Sequence, residues 1–227
     1  MGTIGSRAAV APICPKGEDM TQYFDIHPET PQRRLLHRAV EILRGGGVIA
    51  YPTDSTYALG CRMGEKQAVD RIREIRRLDD DHNFTLACRD LKDIGTYAKM
   101  ENYAYRLLKS HTPGPYTFIL RATSEVPRRL QHRKRKTIGI RVPANPTAQG
   151  LLEELGEPMM SVTLQMPGAS EPMTDPEEIR ERLGQLLDAV VASGKGEVEP
   201  STVVDLTGPV AEVVREGVGD ITVFQSA

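Results

Sequence analysis

The sequence has no tryptophan, only three cysteines and no long apolar run. Cys14, Cys61 and Cys88 lie far apart and form no Cys-x-x-Cys pair, which argues against a disulfide framework or a zinc site and favours a reducing compartment. No window reaches the roughly 18 uninterrupted apolar residues of a membrane-spanning helix. We therefore expect a cytoplasmic protein without a membrane partner.

Several signatures of nucleotide, metal and hydrolytic chemistry are also missing. The chain has no GxxxxGK[S/T] phosphate loop and no GxGxxG after a strand. Its five histidines show no metal-ligand spacing, and there is no Ser-His-Asp or Cys-His signature. These absences give no support to the common nucleotide-binding folds, and they predict no tightly bound metal held by protein ligands alone.

Residues 1–20 differ in composition from the rest, with small residues, prolines and no helical period. We expect them to form a disordered extension before a single domain over 21–227. Periodicity predicts helices over 32–45, 65–78, 91–97, 102–110, 145–155 and 175–187, and strands over 48–51, 85–88, 116–122, 136–142, 159–164, 189–192, 202–206 and 211–215. Several links between strands are too short for a parallel crossover. The fold class is therefore α/β, with a mixed sheet and helices packed on it.

Residues 45–60, GGGVIAYPTDSTYALG, form the most informative segment. An apolar strand runs into Pro52, which has no N–H to donate to a ladder. Five side chains with oxygen atoms follow, from Thr53 to Tyr57. A strand that ends in small hydroxyls and glycines brings short donors close to a ligand; the alternative is a plain polar turn.

Four later segments occur in series with it: PGPYT at 113–117, TIGIRVP at 137–143, STVVD at 201–205 and REG at 215–217. Together these motifs resemble the YrdC/YciO family over about residues 22–220. The segments HNFTLACRDL at 82–91 and EVPRRLQHRKRKTIGIRVP at 125–143 are most similar to the YciO branch. The resemblance implies a strongly twisted sheet that encloses a large cationic cavity. It also implies a nucleotidyltransferase that makes threonylcarbamoyl-adenylate from L-threonine, bicarbonate and ATP with Mg²⁺, for modification of tRNA adenosine.

The resemblance also assigns site residues. On the threonine side it implies Thr53, Ser55, Tyr57, Arg141 and Ser201, with Arg141 paired to the substrate carboxylate. On the nucleotide side it implies Arg76, Arg77, His82, Thr137, Ser161, Thr163 and Arg215. The alternative for the arginines is a surface position at a strand end, and for the hydroxyls a cap of a strand end.

Two positions depart from the pattern of the family's synthases. Their Lys-x-Arg-Pro signature reads Arg76–Arg77–Leu78–Asp79 here, so one phosphate-facing cation is missing or moved to Arg77. The asparagine of a Ser-x-Asn motif is Thr163, which lacks the amide donor. Loss of such a donor costs roughly 10²–10³ in rate, so we expect reduced or diverged activity.

Charge is nearly balanced overall, with a formal net charge of −2, but six Lys or Arg residues fall within the nine positions of 128–136. A solvated face explains most such runs. The alternative is contact with the backbone of tRNA or another structured RNA, without base stacking because no aromatic residue is interleaved. The candidate contacts are Arg128, Arg129, Arg133, Lys134, Arg135 and Lys136.

A third interpretation is an adenylate hydrolase with Asp54 as base, although an Asp that caps a turn is the more common case.

Overall fold

The computed structural model describes residues 21–79, 82 and 84–225, so the expectation for residues 1–20 lies outside the described part. The helices are α1 Arg33–Arg44, α2 Lys66–Arg76, α3 Leu91–Tyr97, α4 Asn102–His111, α5 Pro146–Leu155, α6 Pro176–Leu183 and α7 Thr222–Gln225. The strands are β1 Gln22–Asp25, β2 Ile49–Pro52, β3 Tyr57–Arg62, β4 Thr85–Ala87, β5 Ala98–Lys99, β6 Tyr116–Ala122, β7 Thr137–Arg141, β8 Met159–Thr163, β9 Ala189–Ala192, β10 Thr202–Asp205 and β11 Glu212–Arg215.

The strands form one sheet in the order β1-β9-β2-β3-β8-β4-β7-β6-β10-β11, and β5 pairs with β6 beside this path. The sheet contains parallel pairs, such as β4 with β7, as well as antiparallel pairs, such as β3 with β8. The predicted mixed sheet with flanking helices is therefore confirmed.

Helices cover the two faces of the sheet unequally. Apolar residues of α2, α3, α4 and α6 pack on one face in a continuous core. On the other face α1 and α5 cover β1, β9 and β2 together with single positions of β3, β4 and β8. The part of this second face that lies over β8, β4, β7, β6 and β10 carries small and polar side chains instead. That part forms the floor of the cavity described below.

Local sequence signals account for the ends of α5, on the face of the cavity, and for the start of α6, on the opposite face. The side chain of Asn145 accepts a hydrogen bond from Ala148 N at 3.0 Å, and Pro146 occupies the first turn of α5. Gly156 ends α5 with a φ of 79°, a left-handed conformation that favours glycine. At α6 the side chain of the N-cap residue Asp175 accepts from Glu177 N at 2.9 Å.

The structure differs from the sequence-based prediction at several elements. β1, β5 and α7 were not predicted, and neither was β3, because its residues belong to the segment interpreted as a ligand-binding turn. Tyr57 to Cys61 are in fact wholly buried and pair with both β2 and β8. Pro52 is the last residue of β2, where its missing N–H is tolerated.

Among the helices of the described residues, none is long and apolar enough to cross a membrane.

Candidate functional site

A cavity of about 660 Å³ opens on the uncovered half of the sheet. Ser161, Thr85, Gly139 and Ile119 are successive cross-strand partners on β8, β4, β7 and β6, and all four line it. A Cβ at Gly139 would lie 2.7 Å from Thr85 Oγ1, so only glycine fits this close approach. Apart from Ile119, these floor positions carry short side chains or none, which leave room for a ligand.

One wall of the cavity is the segment after β9, which carries Val198 and Pro200. Tyr57 holds this segment, because its hydroxyl donates to Gly194 O at 2.7 Å and accepts from Ser193 N at 3.1 Å. Burial raises the pKa of Tyr57 to about 12, so the phenol keeps its proton. Tyr57 was predicted to contact threonine; the structure gives it contacts that position the wall.

Arg141, at the end of β7, lines the cavity and is only 6% exposed. Its Nη2 donates to Asp54 Oδ1 at 2.5 Å and to Ser55 Oγ at 3.3 Å. The Arg141 Nε atom is buried and has no hydrogen-bond partner among the described residues. A buried guanidinium N–H without a partner is costly unless a ligand accepts from it.

Thr53, Asp54 and Ser55 form the turn between β2 and β3. Thr53 Oγ1 donates to Thr56 O at 2.6 Å and accepts from Ser55 N at 3.2 Å. Asp54 Oδ2 accepts from Ala144 N at 3.0 Å, so both carboxylate oxygens of Asp54 have protein partners. This arrangement favours the turn-holding interpretation of Asp54 over that of a free base. Neither Thr53 nor Ser55 lines the cavity: Ser55 contacts Arg141, and Thr53 Oγ1 lies 3.1 Å from Ser55 Oγ.

Arg215 and Ser201 lie together on the far side of the cavity. Arg215 Nη2 donates to Ser201 O at 2.7 Å, while Ser201 Oγ lies 2.8 Å from Thr117 Oγ1. Gly217 permits this geometry, because a Cβ there would lie 2.1 Å from Pro200 O. Burial, followed by the charge of Arg141, lowers the pKa of Arg215. A shared anion would relieve both effects, since it neutralises the two guanidinium groups.

Arg76, at the end of α2, lines the cavity beside β8. Its Nε donates to Thr163 O at 2.8 Å, and burial lowers its pKa. His82 lines the same region, and burial followed by the charge of Arg76 lowers its pKa below 6.5. His82 is therefore a neutral imidazole near pH 7.

The predicted residues Arg77 and Thr137 lie outside the lining of the cavity. Arg77 is exposed, adopts a left-handed φ of 49° at the end of α2 and does not line the cavity, so it does not replace the missing cation. Leu78 instead packs against the core. Thr137 shares the strand face of Gly139 and Arg141, and its buried Oγ1 has no hydrogen-bond partner among the described residues. It lies beyond the lining residues, opposite Arg121 in the ladder.

Other lining residues escaped the sequence analysis. Thr85 and Gly139 are examples, although Gly139 follows from period-2 alternation with Arg141. Asp79 and Glu171 also line the cavity and place carboxylates among its cations. Within the described residues no group of three His, Cys, Asp or Glu side chains is suited to hold a metal ion.

Residues 128–136 form exposed turns between β6 and β7, anchored by the buried Leu130. Arg129 donates to Gly64 O, and Arg135 Nη1 lies 3.4 Å from Asp205 Oδ2. Because Asp205 pairs with Ile119 of the cavity floor, this basic segment borders the same face of the sheet. The six candidate RNA contacts are all exposed.

Comparison with known proteins identifies the family. The family model Sua5_yciO_yrdC, described as "Telomere recombination", matches residues 41–217. The uncharacterized protein YciO of Escherichia coli (strain K12) is 57% identical over 205 residues, which cover 90% of this chain and 100% of that protein. The crystal structure of E. coli YciO matches with a TM-score of 0.88 over the same shares of the two chains.

Two more distant relatives are named for an activity or a bound ligand. A threonylcarbamoyl-AMP synthase of Chromobacterium violaceum is 37% identical over 142 residues, which cover 62% of this chain and 73% of that protein. The structure of P. abyssi Sua5 complexed with L-threonine has a TM-score of 0.80 and 25% identity, over 87% of this chain and 58% of that longer chain. The chain belongs to the Sua5/YciO/YrdC family, and the resemblance found in the sequence is confirmed.

Proposed function

We propose that this member of the Sua5/YciO/YrdC family binds L-threonine and ATP in the cavity and forms threonylcarbamoyl-adenylate at a reduced rate. In this reaction the threonine amine and bicarbonate give an N-carboxylate with loss of water. An oxygen of that carboxylate then attacks the α-phosphorus of ATP, a new P–O bond forms, and pyrophosphate leaves with the electrons of the broken Pα–O bond. The product is linked to the modification of tRNA adenosine.

One observation supports this proposal above the others: the buried Arg141 lines the cavity, and its Nε has no hydrogen-bond partner among the described residues. A guanidinium held by Asp54 from one side offers its remaining donors to a carboxylate from the other. The threonine carboxylate is a ligand of the required charge and size. The L-threonine bound to P. abyssi Sua5 is consistent with this assignment.

The remaining cations suit the phosphates. Arg76 and Arg215 line the cavity, and burial disfavours the charged form of both, which is a setting in which an anion binds. Ser161 and Thr117 add hydroxyl donors on the floor. Adenylate formation consists mainly of positioning and charge neutralisation, so it needs no protein nucleophile. ATP brings Mg²⁺ as part of the substrate, and the metal shares the negative charge of the phosphates.

The departures at Leu78 and Thr163 support the reduced rate. Leu78 packs in the core, and Thr163 carries no amide donor, although its carbonyl oxygen holds Arg76. The site thus retains the residues proposed to bind threonine and two of the phosphate-facing cations, but lacks one preorganised donor.

The direct test measures threonine-dependent release of pyrophosphate from ATP in the presence of bicarbonate. We expect release that depends on all three substrates and that falls at least 100-fold in Arg141→Gln. The matched control Arg121→Gln changes an exposed arginine outside the lining residues and should keep the wild-type rate. If no threonine-dependent release occurs and calorimetry detects no ATP binding, the proposal is wrong.

A second candidate function is binding of structured RNA by the basic segment 128–136. The observation that favours it is the position of the segment: it follows β6 and precedes β7, two strands of the cavity floor, and its six basic side chains are exposed. An RNA backbone held there would lie beside the cavity. The two functions are compatible, since the proposed product reacts with tRNA.

A further inference from the structure

Tyr51 and Ser161 form a hydrogen bond beneath the cavity. The Tyr51 hydroxyl oxygen lies 2.7 Å from Ser161 Oγ, and the ring of Tyr51 is wholly buried. Ser161 lines the cavity and is 4% exposed. Tyr51 therefore connects the helix-covered half of this sheet face with the open half.

The tyrosine ring reaches Ser161 across an intervening strand. β3 lies between β2, which carries Tyr51, and β8, which carries Ser161. Gly60 of β3 pairs directly with Ser161, and a Cβ at Gly60 would lie 2.9 Å from Tyr51 Cε1. A side chain at Gly60 would thus displace the ring. Tyr51 and Gly60 are the first and last residues of YPTDSTYALG. Because Gly60 has no side chain, the phenol of Tyr51 can extend across β3 to Ser161.

The chemistry of the ligand sets the direction of this hydrogen bond. Phosphate and carboxylate oxygens accept hydrogen bonds, so a Ser161 hydroxyl that contacts an anion in the cavity has to donate to it. The Ser161 oxygen is then free to accept from Tyr51. Burial raises the pKa of Tyr51, which keeps the proton on the phenol for this donation.

We propose that Tyr51 is a positioning residue of the site, which donates to Ser161 Oγ and directs the Ser161 proton toward a phosphate oxygen of the ligand. Hydrogen bonds in such a chain strengthen one another, and the last one is assisted by the charge of the anion. The inference rests on the proposed function in one respect: it takes from it that the ligand in the cavity carries a polyphosphate. It assigns no chemical step to Tyr51.

The test uses inorganic tripolyphosphate as the probe and calorimetry as the readout, on the full chain. Tyr51→Phe keeps the ring and removes only the hydroxyl, and we expect binding about tenfold weaker than in the wild type. Ser161→Ala should weaken binding at least as much. Tyr51→Phe added to Ser161→Ala should weaken binding no further, because Tyr51 acts through Ser161.

The matched control is Tyr103→Phe, which also loses a hydroxyl that donates at 2.7 Å, in this case to Gly208 O. It should leave tripolyphosphate binding unchanged. Thermal unfolding of the variants separates folding from binding, because a merely structural Tyr51 would lower the melting temperature without changing the dissociation constant.

Unchanged tripolyphosphate binding in Tyr51→Phe would overturn the inference. So would a double variant whose loss of affinity equals the sum of the losses of the two single variants, or a wild-type protein that binds no tripolyphosphate. Failure of the proposed function gives a different result. Tripolyphosphate binding with the expected coupling, but no threonine-dependent release of pyrophosphate, would support the inference and contradict the proposed synthase activity.

Discussion

Arg141 Nη2 donates to Asp54 Oδ1 at 2.5 Å in an ion pair whose two side chains are 7% and 12% exposed. The acid comes from the turn after β2, and the arginine comes from the end of β7, 87 residues later. Asp54 also accepts from Ala144 N, so the pair joins the turn to the segment that leads into α5. The ion pair fixes the arginine that we propose to bind threonine.

The first prediction concerns this ion pair. Asp54→Asn keeps the shape of the side chain but leaves the buried Arg141 without an opposite charge, which is unfavourable in a low-dielectric site. We expect the free energy of unfolding to fall by about 3–5 kcal/mol in urea titrations. Asp70→Asn is the control, because its pair with Lys66 lies on the surface of α2 and should contribute less than about 0.5 kcal/mol. Equal effects of the two variants would contradict the structural role of Asp54.

A second prediction concerns the position that departs from the synthases. Thr163→Asn supplies an amide donor at the edge of the cavity and leaves the backbone carbonyl that holds Arg76 in place. We expect threonine-dependent pyrophosphate release to rise at least tenfold, by roughly the contribution of one preorganised donor. Thr96→Asn on the exposed side of α3 should have no effect. A Thr163→Asn variant no faster than the wild type would show that this position does not limit the rate.

The third prediction follows from the lowered pKa of His82. The unfolded chain binds a proton at this histidine near pH 6.5, whereas the folded protein binds it only at lower pH. Stability therefore falls as the pH drops below about 6.5 and stops falling from this cause below the folded-state pKa. In His82→Gln that part of the pH dependence should disappear from denaturant titrations between pH 7 and 5. The same slope in both proteins would contradict the lowered pKa.

The fourth prediction concerns the basic segment. If it contacts RNA, replacing Arg133, Lys134 and Arg135 by Gln should weaken binding of structured RNA. The slope of log K against log salt is negative, and its magnitude should decrease by about two to three, because three phosphate contacts are lost. A control with the same charge change is Lys92, Arg106 and Lys109 replaced by Gln, which are exposed residues of α3 and α4. Equal salt slopes for the two triple variants would exclude contact through this segment.

Much of the fold could be predicted, because the period of the hydrophobic residues and the capping residues indicate the same bounds for most elements. The helix over 146–155 is an example, since Asn145, Pro146 and Gly156 all mark its ends. β3 was not predicted, because the polar residues that precede it suggested a turn. Its burial depends in part on β8, which is distant in the sequence. β1 is a short strand at the edge of the sheet among the described residues, and it pairs with β9, a contact between segments more than 160 residues apart.

The site was predictable to the extent that motifs carry it. Arg141, Ser161, Ser201 and Arg215 were identified from the resemblance, and the structure places all four at one cavity. The ion pair of Arg141 and the contact of Tyr51 with Ser161 could not be read from spacing, because each joins residues on strands that are neighbours only in space. Arg77 shows the converse, since a cation next to Arg76 in the sequence lies outside the cavity.

The most direct test of the account is a crystal structure of the protein with L-threonine and a non-hydrolysable ATP analogue. The account predicts the threonine carboxylate within hydrogen-bond distance of the Arg141 guanidinium group, and the phosphates between Arg76, Ser161 and Arg215. Ligands bound elsewhere on the molecule, or a cavity that stays without them at saturating concentrations, would contradict it.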